Sequence, residues 1–263
     1  MRHFISLKEQ SKNDLLTILE IAQKIKAERK NGNPTNYLRN KSLIMLFQKT
    51  STRTRLSFEA GMTELGGHAI FLDARTTQAS LADFNDEIQA IMRFGNILMF
   101  RALKSSDVEK AASYNKIPVI DACSEKYHPT QALGDILTMM EYSGGLSKIK
   151  KIAWLGIENN VSNSLKLACA ILGIPITIIS PEADKNSIDE ELNEMVEKIG
   201  MATITTDLEG GLSNADYVHT DTWMNMEFFE EGKIKPQFEE EYSRRKKVFI
   251  PYQLNVSLIN KYS

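Results

Sequence analysis

The sequence predicts an α/β protein with two domains, each a parallel sheet flanked by helices. Short apolar runs alternate with segments in which apolar residues recur at helical spacing, and this alternation fills both halves of the chain. With 263 residues, of which 42% are hydrophobic, the chain is long enough for two modest domains. Gly144 and Gly145 interrupt the alternation. We therefore predict domains at residues 1–143 and 144–263.

The first domain is predicted to contain a series of strands separated by helices or loops. A helix over 11–30 begins with Ser11 and Asp14, which resemble a capping box, and its apolar residues lie on one face. Apolar runs predict strands at 42–47, 69–72, 97–100 and 117–120. The other predicted helices are 56–65, 87–93, 108–114 and 132–142, and the polar segment 73–85 is predicted to be a loop.

The second domain repeats this pattern. Apolar runs predict strands at 151–156, 175–180, 201–205 and 216–220, with helices at 162–172 and 188–199. A basic run at 244–247 follows an acidic run at 239–241, which is typical of a solvated helix face. The alternation predicts a parallel sheet with helices on both faces.

Composition and charge exclude several classes of protein. The formal net charge is −2, with 32 basic and 34 acidic residues, so nothing in the overall charge favours binding to nucleic acid or to an acidic membrane. No apolar run is long enough to span a bilayer, and the N-terminus lacks the pattern of a signal peptide. Cys123 and Cys169 lie far apart without metal-ligand spacing, which indicates reduced, buried thiols. We expect a soluble cytoplasmic protein.

The segment that joins the first strand to the next helix is rich in hydroxyl and guanidinium groups. It reads Phe-Gln-Lys-Thr-Ser-Thr-Arg-Thr-Arg over residues 47–55. A helix that begins just after a strand presents unpaired backbone N–H groups and the positive end of its dipole to a bound anion. Arginine adds a charged fork that matches phosphate oxygens. The residues predicted to hold a small, doubly charged anion are Ser51, Thr52, Arg53 and Thr54.

Further polar side chains follow the other predicted strands. Ligands of open parallel sheets bind beyond the carboxyl ends of the strands, so these side chains are candidates for one active site in the cleft between the domains. The candidates are Arg101, His128 and Gln131 in the first domain, and Asn160 and Asp221 in the second. Together they suit an anion site facing a site for an amine. Taken singly, each also suits a structural role as an ion pair, a helix cap or a turn residue.

Common cofactor and nucleophile patterns are absent from the sequence. No G-x-G-x-x-G turn or P-loop occurs, since Gly156 stands alone after its predicted strand, and a nucleotide-dependent oxidoreductase is therefore disfavoured. No cluster of His, Cys or Asp has metal-ligand spacing. No Ser-His-Asp order or nucleophile elbow is present. We expect neither a metal nor another cofactor.

Several motifs occur in an order and spacing that match one enzyme family. S-T-R-T-R within residues 47–59, Phe-Arg at 100–101 and His-Pro-Thr-Gln at 128–131 look like carbamoyl phosphate motifs. Asn-Asn-Val-Ser-Asn-Ser at 159–164 is similar to N-N-x-x-N-S. The stretches at 220–226 and 251–255 resemble the ornithine-type T-D-x-W-x-S-M and P-Y-Q-V-N. Over nearly its whole length the chain thus resembles the aspartate/ornithine carbamoyltransferase family, and most closely its ornithine carbamoyltransferases.

This resemblance implies a reaction and a role for each matching residue. The reaction is transfer of the carbamoyl group from carbamoyl phosphate to the side-chain amine of L-ornithine, which yields L-citrulline and phosphate in arginine synthesis or breakdown. The implied phosphate ligands are Ser51, Thr52, Arg53, Thr54 and Arg101, the carbamoyl ligands are His128 and Gln131, and the amino-acid ligands are Asn160, Asp221, Asn225 and Met226. The family is trimeric, with a loop of the neighbouring subunit completing each site. We therefore expect a homotrimer or a multiple of it, in which Gln78 of the loop 76–84 takes that role.

Departures from the family pattern leave alternatives open. Asn225 stands where ornithine enzymes carry Ser, and Glu227 where they carry Gly, so putrescine or an ornithine derivative is an alternative acceptor. Residues 81–87 do not reproduce the family's E-S-x-x-D-T pattern. The chain ends at Ser263, before the family's H-C-L-P motif, so we expect a second domain truncated at its C-terminus. A non-catalytic relative that binds carbamoyl phosphate is the other alternative.

Overall fold

The structure, a computed structural model, describes residues 1–33, 35–78 and 83–262. The chain forms two compact units, Met1–Leu137 and Thr138–Ser263. Each unit contains its own four-stranded sheet. The domain boundary that we place at 143/144 stays a prediction.

The sheet of the first unit has the strand order β2-β1-β3-β4, and all its pairings are parallel. Its strands are β1 Ser42–Phe47, β2 His68–Asp73, β3 Ile97–Arg101 and β4 Val119–Asp121. Its helices are α1 Lys12–Lys30, α2 Thr52–Glu64, α3 Phe84–Ile91 and α4 Ser105–Ser113, and α5 Pro129–Ser143 begins in this unit.

Apolar side chains on both faces of this sheet explain why its central strands are buried. Every residue of β1 from Leu43 to Phe47 is buried, as expected for a strand covered on both sides. Ile44 and Leu46 point to one core, formed with α3 and α4. Met45 points to the other, where Met62 of α2 packs. Full burial of each such side chain contributes about 1.5–3 kcal/mol.

The sheet of the second unit has the strand order β7-β6-β5-β8, again with parallel pairings, and a short antiparallel ribbon pairs β9 with β10. Its strands are β5 Ile152–Leu155, β6 Ile176–Ile179, β7 Ala202–Thr205, β8 Tyr217–His219, β9 Phe229–Glu230 and β10 Lys233–Ile234. Its helices are α6 Asn160–Leu172, α7 Glu190–Ile199, α8 Leu208–Leu212, α9 Glu239–Phe249 and α10 Val256–Tyr262.

The predicted fold class is confirmed, and each strand predicted from an apolar run is present in one of the two parallel sheets. The segment 73–85 is not simply a loop: Ala74–Thr76 forms a short 3-10 turn, and α3 already begins at Phe84. Residues 79–82 of that segment lie outside the described residues. Helix α5 begins at Pro129, earlier than predicted, because proline is favoured in the first turn of a helix.

The basic run at 244–247 lies on α9, but the prediction of a wholly solvated face was wrong for one residue. Arg245 is only 8% exposed and forms ion pairs with Glu241 and with Asp184, which lies far away in sequence. Its neighbour Arg244 is exposed, as predicted. A run of charges in sequence does not reveal a buried partner that the fold supplies.

Among the residues that the structure describes, none of the helices combines the length and the apolar character needed to cross a membrane.

Candidate active site

Both strand orders create a topological switch point, and several of the candidate residues lie at these points. In the first unit the chain leaves β1 toward β2 on one side and returns to β3 on the other side. Ser51 follows β1, and Arg101 ends β3. In the second unit β5 lies between β6 and β8 in the same way, so that Asn159 follows β5 and Asp221 follows β8. Crevices at switch points are the usual ligand sites of open α/β sheets.

The start of α2 is the candidate anion site of the first unit, and we call it the cradle. Ser51 is the N-cap residue, and its hydroxyl oxygen lies 3.4 Å from the backbone N of Thr54. The same hydroxyl donates a hydrogen bond to Thr54 Oγ1 at 2.9 Å. The first turn contains no acidic residue, so no carboxylate of that turn offsets the positive end of the helix dipole. This end of α2 is therefore attractive to an anion.

Arg101 brings a buried positive charge to the cradle. Its side chain is 6% exposed, and Nη1 donates a hydrogen bond to Thr54 Oγ1 at 3.2 Å. Its Nε is buried without a hydrogen-bond partner, and no carboxylate within the described ranges forms an ion pair with it. Burial of a charge is costly unless an opposite charge compensates it. A phosphate bound in the cradle would supply the compensating negative charge.

The two arginines of the S-T-R-T-R motif differ in their surroundings. Arg55 Nε donates to Glu59 Oε1 at 3.0 Å, and its guanidinium lies 3.8 Å from the ring centre of Phe71. Arg53 is exposed and has no ion-pair partner in the described part of the chain. Arg53 is therefore available to a ligand, whereas Arg55 is engaged within the protein.

His128 lies directly before α5 and is neutral at physiological pH. Burial, and next the positive charge of Arg101, lower the pKa of His128 to about 3; Asp135 opposes this shift, and Lys49 adds to it by less than Asp135 opposes it. A neutral imidazole still offers one N–H donor, so His128 can donate a hydrogen bond without adding a charge. The structure thus brings His128 within electrostatic reach of the cradle. Gln131 is exposed, and its Nε2 donates to Asp135 Oδ1 at 2.9 Å.

Two groups beside the cradle escaped the sequence-based prediction. Asp121, the last residue of β4, is fully buried and accepts hydrogen bonds from Ser124 Oγ at 2.7 Å and from the backbone N of Cys123 at 2.8 Å. Burial raises the pKa of Asp121 to about 7, against the opposing effects of these hydrogen bonds and of Lys49. Lys49 thus influences both Asp121 and His128. Their positions at the ends of β4 and β1 were the signal that could have identified them.

In the second unit, Asn159 and Asp221 meet at the switch point. Asn159 caps α6, where its Oδ1 accepts from the backbone N of Val161 at 3.0 Å and of Ser162 at 3.1 Å. Its Nδ2 donates to Asp221 Oδ2 at 3.1 Å. Sequence analysis singled out Asn160, which is the first residue of α6, and missed the role of Asn159, although the Asn-Asn pair after a strand was a visible signal.

Asp221 faces an open pocket of about 390 Å³. Its Oδ1 accepts a hydrogen bond from the backbone N of Thr222 at 2.7 Å, and no Lys or Arg among the described residues forms an ion pair with it. The pocket is lined by Thr220, Asp221, Thr222, Trp223, Met224, Phe229, Tyr242, Lys246, Gln253 and Leu254. A carboxylate without a cationic partner at the edge of such a pocket suits a substrate ammonium.

The remaining predicted ligands are Asn225, Met226 and Gln78. Asn225 is half-buried, and its Oδ1 lies 3.4 Å from Arg245 Nη1, so its amide points to α9. Met226 is 56% exposed, and neither residue belongs to the described lining of the pocket. Gln78 is exposed, and residues 79–82 of its predicted loop lie outside the described residues. The roles of these residues stay predictions.

The family relationship of the chain is established by comparison with known proteins. The carbamoyl phosphate-binding domain of the aspartate/ornithine carbamoyltransferases matches residues 2–141, and their Asp/Orn-binding domain matches residues 148–263. An ornithine carbamoyltransferase of Methanosarcina acetivorans is 38% identical over 259 residues, which cover 98% of this chain and 82% of that protein. The ornithine carbamoyltransferase of Archaeoglobus fulgidus is 37% identical over 262 residues, with 98% and 81% covered.

Solved structures agree with the sequence relatives. The structure of ornithine carbamoyltransferase from Pyrococcus furiosus matches with a TM-score of 0.87 and 33% identity, covering 98% of this chain and 80% of that one. The anabolic ornithine carbamoyltransferase from Campylobacter jejuni matches with a TM-score of 0.86 and 34% identity, covering 100% and 83%. Together with the two domain matches, these similarities show that the chain belongs to the aspartate/ornithine carbamoyltransferase family.

Proposed function

We propose that this protein transfers the carbamoyl group of carbamoyl phosphate to the side-chain amine of L-ornithine, with L-citrulline and phosphate as products. The observation that carries the proposal is the buried guanidinium of Arg101, which no described carboxylate neutralises, beside the N-terminus of α2. The relatives that share both domains are named ornithine carbamoyltransferases, which supports the choice of acceptor.

The cradle is suited to hold the donor and to stabilise the charge that develops during reaction. The amine nitrogen attacks the carbamoyl carbon, the bond from that carbon to the phosphate oxygen breaks, and phosphate leaves with the electron pair. Of the two protons that the substrate ammonium loses, one leaves before the attack and the other goes to the departing phosphate. Arg53 and Arg101 stabilise the leaving phosphate, with Ser51, Thr52 and Thr54 as further ligands.

In this proposal, His128 donates a hydrogen bond to the carbamoyl oxygen. Negative charge develops on that oxygen as the amine attacks, and a fixed N–H donor stabilises it without reorganisation. Because the pKa of His128 is lowered to about 3, the imidazole is neutral and does not compete with the arginines for the phosphate. Gln131 binds the carbamoyl amide.

The acceptor half of the proposal rests on the second unit. Asp221, oriented by Asn159, pairs with an ammonium of L-ornithine, while Asn160 and the segment at 225–226 bind the rest of the amino acid. A carboxylate that lacks a cationic partner within the described residues supports this assignment. The attacking amine must be deprotonated, and the donor's phosphate assists in this step.

The assembly and location of the protein belong to the same proposal. We propose a cytoplasmic homotrimer in arginine metabolism, in which the exposed Gln78 reaches the site of a neighbouring copy. A sizing measurement coupled to light scattering should then give a mass of about 89 kDa, three times the 29.7 kDa of one chain. A mass equal to that of a single chain would exclude this arrangement.

The direct test is citrulline formation from carbamoyl phosphate and L-ornithine, with putrescine as a matched control amine that lacks the carboxylate. The proposal predicts product with L-ornithine and much less with putrescine. Product only with putrescine would overturn the acceptor. Tight carbamoyl phosphate binding in calorimetry, without product from either amine, would leave a binding protein and overturn the reaction.

A further inference from the structure

Arg245 on α9 contacts its own helix, the distant Asp184 and the segment that follows β8. Its Nε donates to Glu241 Oε1 at 2.8 Å, one turn earlier on the same helix. Nη1 and Nη2 lie 3.4 and 3.5 Å from Asp184 Oδ2, a carboxylate that is 5% exposed. These two carboxylates neutralise the buried guanidinium.

The remaining contacts of Arg245 reach the segment between β8 and β9, residues 220–228, which we call the β8–β9 loop. Nη1 donates to the backbone carbonyl oxygen of Trp223 at 2.9 Å and faces Asn225 Oδ1 at 3.4 Å. The guanidinium also lies 5.2 Å from the ring centre of Phe228. The guanidinium of Arg245 thus contacts both the middle and the end of the β8–β9 loop.

The opposite side of the β8–β9 loop forms the wall of the pocket that Asp221 faces. Trp223 and Met224 line that pocket, whereas Asn225 and Phe228 do not. Trp223 is further held by a stacked ring, that of Phe249, at 5.8 Å. The loop therefore has a pocket side and an anchored side, and Arg245 lies on the anchored side.

The adjacent Arg244 shows which of these contacts are special to Arg245. Arg244 also pairs with Glu241, through Nε at 2.7 Å, and with Glu182 at 2.6 Å, but it is exposed, and its hydrogen bonds to these two residues do not extend to residues 220–228. Two neighbouring arginines on one helix thus share an acidic partner, and only the buried one contacts the loop. Buried ion pairs are weak contributors to stability, and they serve better to fix one arrangement of the groups around them.

We infer that Arg245 is a positioning residue for the amine acceptor, because it fixes the β8–β9 loop and holds the Asn225 amide on the side away from the pocket. The inference rests on the proposed function for the identity of the acceptor. It assigns the difference between Asn225 and the serine of ornithine enzymes to anchoring of the loop and not to direct contact with the substrate. Lysine cannot replace the arginine here, since it lacks the planar fork that reaches several acceptors at once.

The test compares Arg245→Gln and Arg245→Lys with Arg244→Gln as the matched control. We expect Arg245→Gln to raise KM for L-ornithine about 10-fold or more, because small displacements of substrate-positioning groups have large effects. KM for carbamoyl phosphate should stay within about twofold of wild type, as should every parameter of Arg244→Gln, since an exposed substitution has little effect. Arg245→Lys keeps the charge, so it should fold as the wild type does. Its KM for L-ornithine should still be raised.

A second readout follows the loop itself and does not depend on turnover. The chain has two tryptophans, and Trp154 is fully buried, so acrylamide quenching reports chiefly on Trp223. Arg245→Gln should increase quenching, and Arg244→Gln should not. If Arg245→Gln fails to fold, Arg245→Lys carries both comparisons.

The outcomes separate this inference from the proposed function. Lower thermal stability of the Arg245 variants with wild-type quenching and wild-type KM for L-ornithine would show a merely structural role and overturn the inference. Absence of citrulline with the wild-type protein would overturn the proposed function. In that case a change in Trp223 quenching still supports the positioning of the loop by Arg245, and unchanged quenching overturns it.

Discussion

Replacing Arg101 by methionine should stabilise the protein in the absence of phosphate and at the same time reduce its stabilisation by phosphate. Methionine fills the space of the aliphatic stem without a charge. The wild-type side chain is 6% exposed, and its Nε has no hydrogen-bond partner. A buried polar group without a partner destabilises a protein by about 1–3 kcal/mol, so the variant should gain up to this amount. Thr54 keeps its hydrogen bond from Ser51, so the cap of α2 survives.

The same substitution should weaken anion binding strongly. A hydrogen bond to a charged group contributes about 1.5–3 kcal/mol, which corresponds to a loss of roughly 10- to 100-fold in affinity for phosphate. Ligand at 100 times its Kd stabilises the wild type by about 2.7 kcal/mol. Inorganic phosphate should therefore raise the melting temperature of the wild type, and raise that of Arg101→Met far less.

Thermal melts with and without phosphate measure both effects. For a chain of this size 1 kcal/mol corresponds to roughly 2–4 °C. Arg55→Met is the control, since Arg55 already pairs with Glu59. The reasoning fails if Arg101→Met melts below the wild type without phosphate, or if its melting temperature rises with phosphate as much as that of the wild type. As a further check, the pKa of His128 measured by NMR should rise above about 3, because the charge of Arg101 contributes to lowering it.

Three further predictions concern Arg53, Asp221 and Asp121. Arg53→Ala should abolish carbamoyl phosphate binding in calorimetry while Arg55→Ala keeps it, because only Arg55 is engaged within the protein; equal losses would contradict this. Asp221→Asn should raise KM for L-ornithine about 10-fold or more and leave carbamoyl phosphate affinity unchanged, because it removes the charge that pairs with an ammonium. The pKa of Asp121 is raised from 3.8 to about 7, so its contribution to stability is present below its unfolded pKa and is lost as pH rises through about 7. Urea unfolding of the wild type should therefore lose about 2–3 kcal/mol between pH 5 and 8 that Asp121→Asn does not lose, and parallel curves would refute this.

The strands and the capped start of α2 were predictable because their signals are local. Continuous apolar runs such as 42–47 predict buried parallel strands, and the sheets contain them. The Ser-Thr-Arg-Thr stretch indicated a capped helix start, and Ser51 does cap α2. The meeting of Thr54 with Arg101 also followed in outline, since both were expected at the carboxyl end of a sheet.

Other features depend on partners that the sequence does not display. Strand order decides which strand ends are neighbours, and an apolar run carries no information on its partner strand. The ribbon of β9 and β10 has two residues in each strand, too few for a period to appear. Arg245 looked solvated beside Arg244, because its burial depends on Asp184 and on a backbone carbonyl of the β8–β9 loop. The burial of Asp121, and so its raised pKa, is likewise a property of the packed fold, which the sequence around the end of a strand does not show.

The two switch points have a consequence for how such a protein can acquire a new acceptor. The proposed donor ligands follow or end strands of the first sheet, and the proposed acceptor ligands follow strands of the second sheet. The β8–β9 loop can therefore be replaced as one segment, together with Arg245 on α9, while the proposed carbamoyl phosphate ligands stay unchanged. A library of variants at residues 222–228 that keeps Arg245 would test new amine acceptors. The proposed carbamoyl phosphate site would be the same in every variant. The strand order of this fold thus allows the amine acceptor to be changed by exchange of one loop.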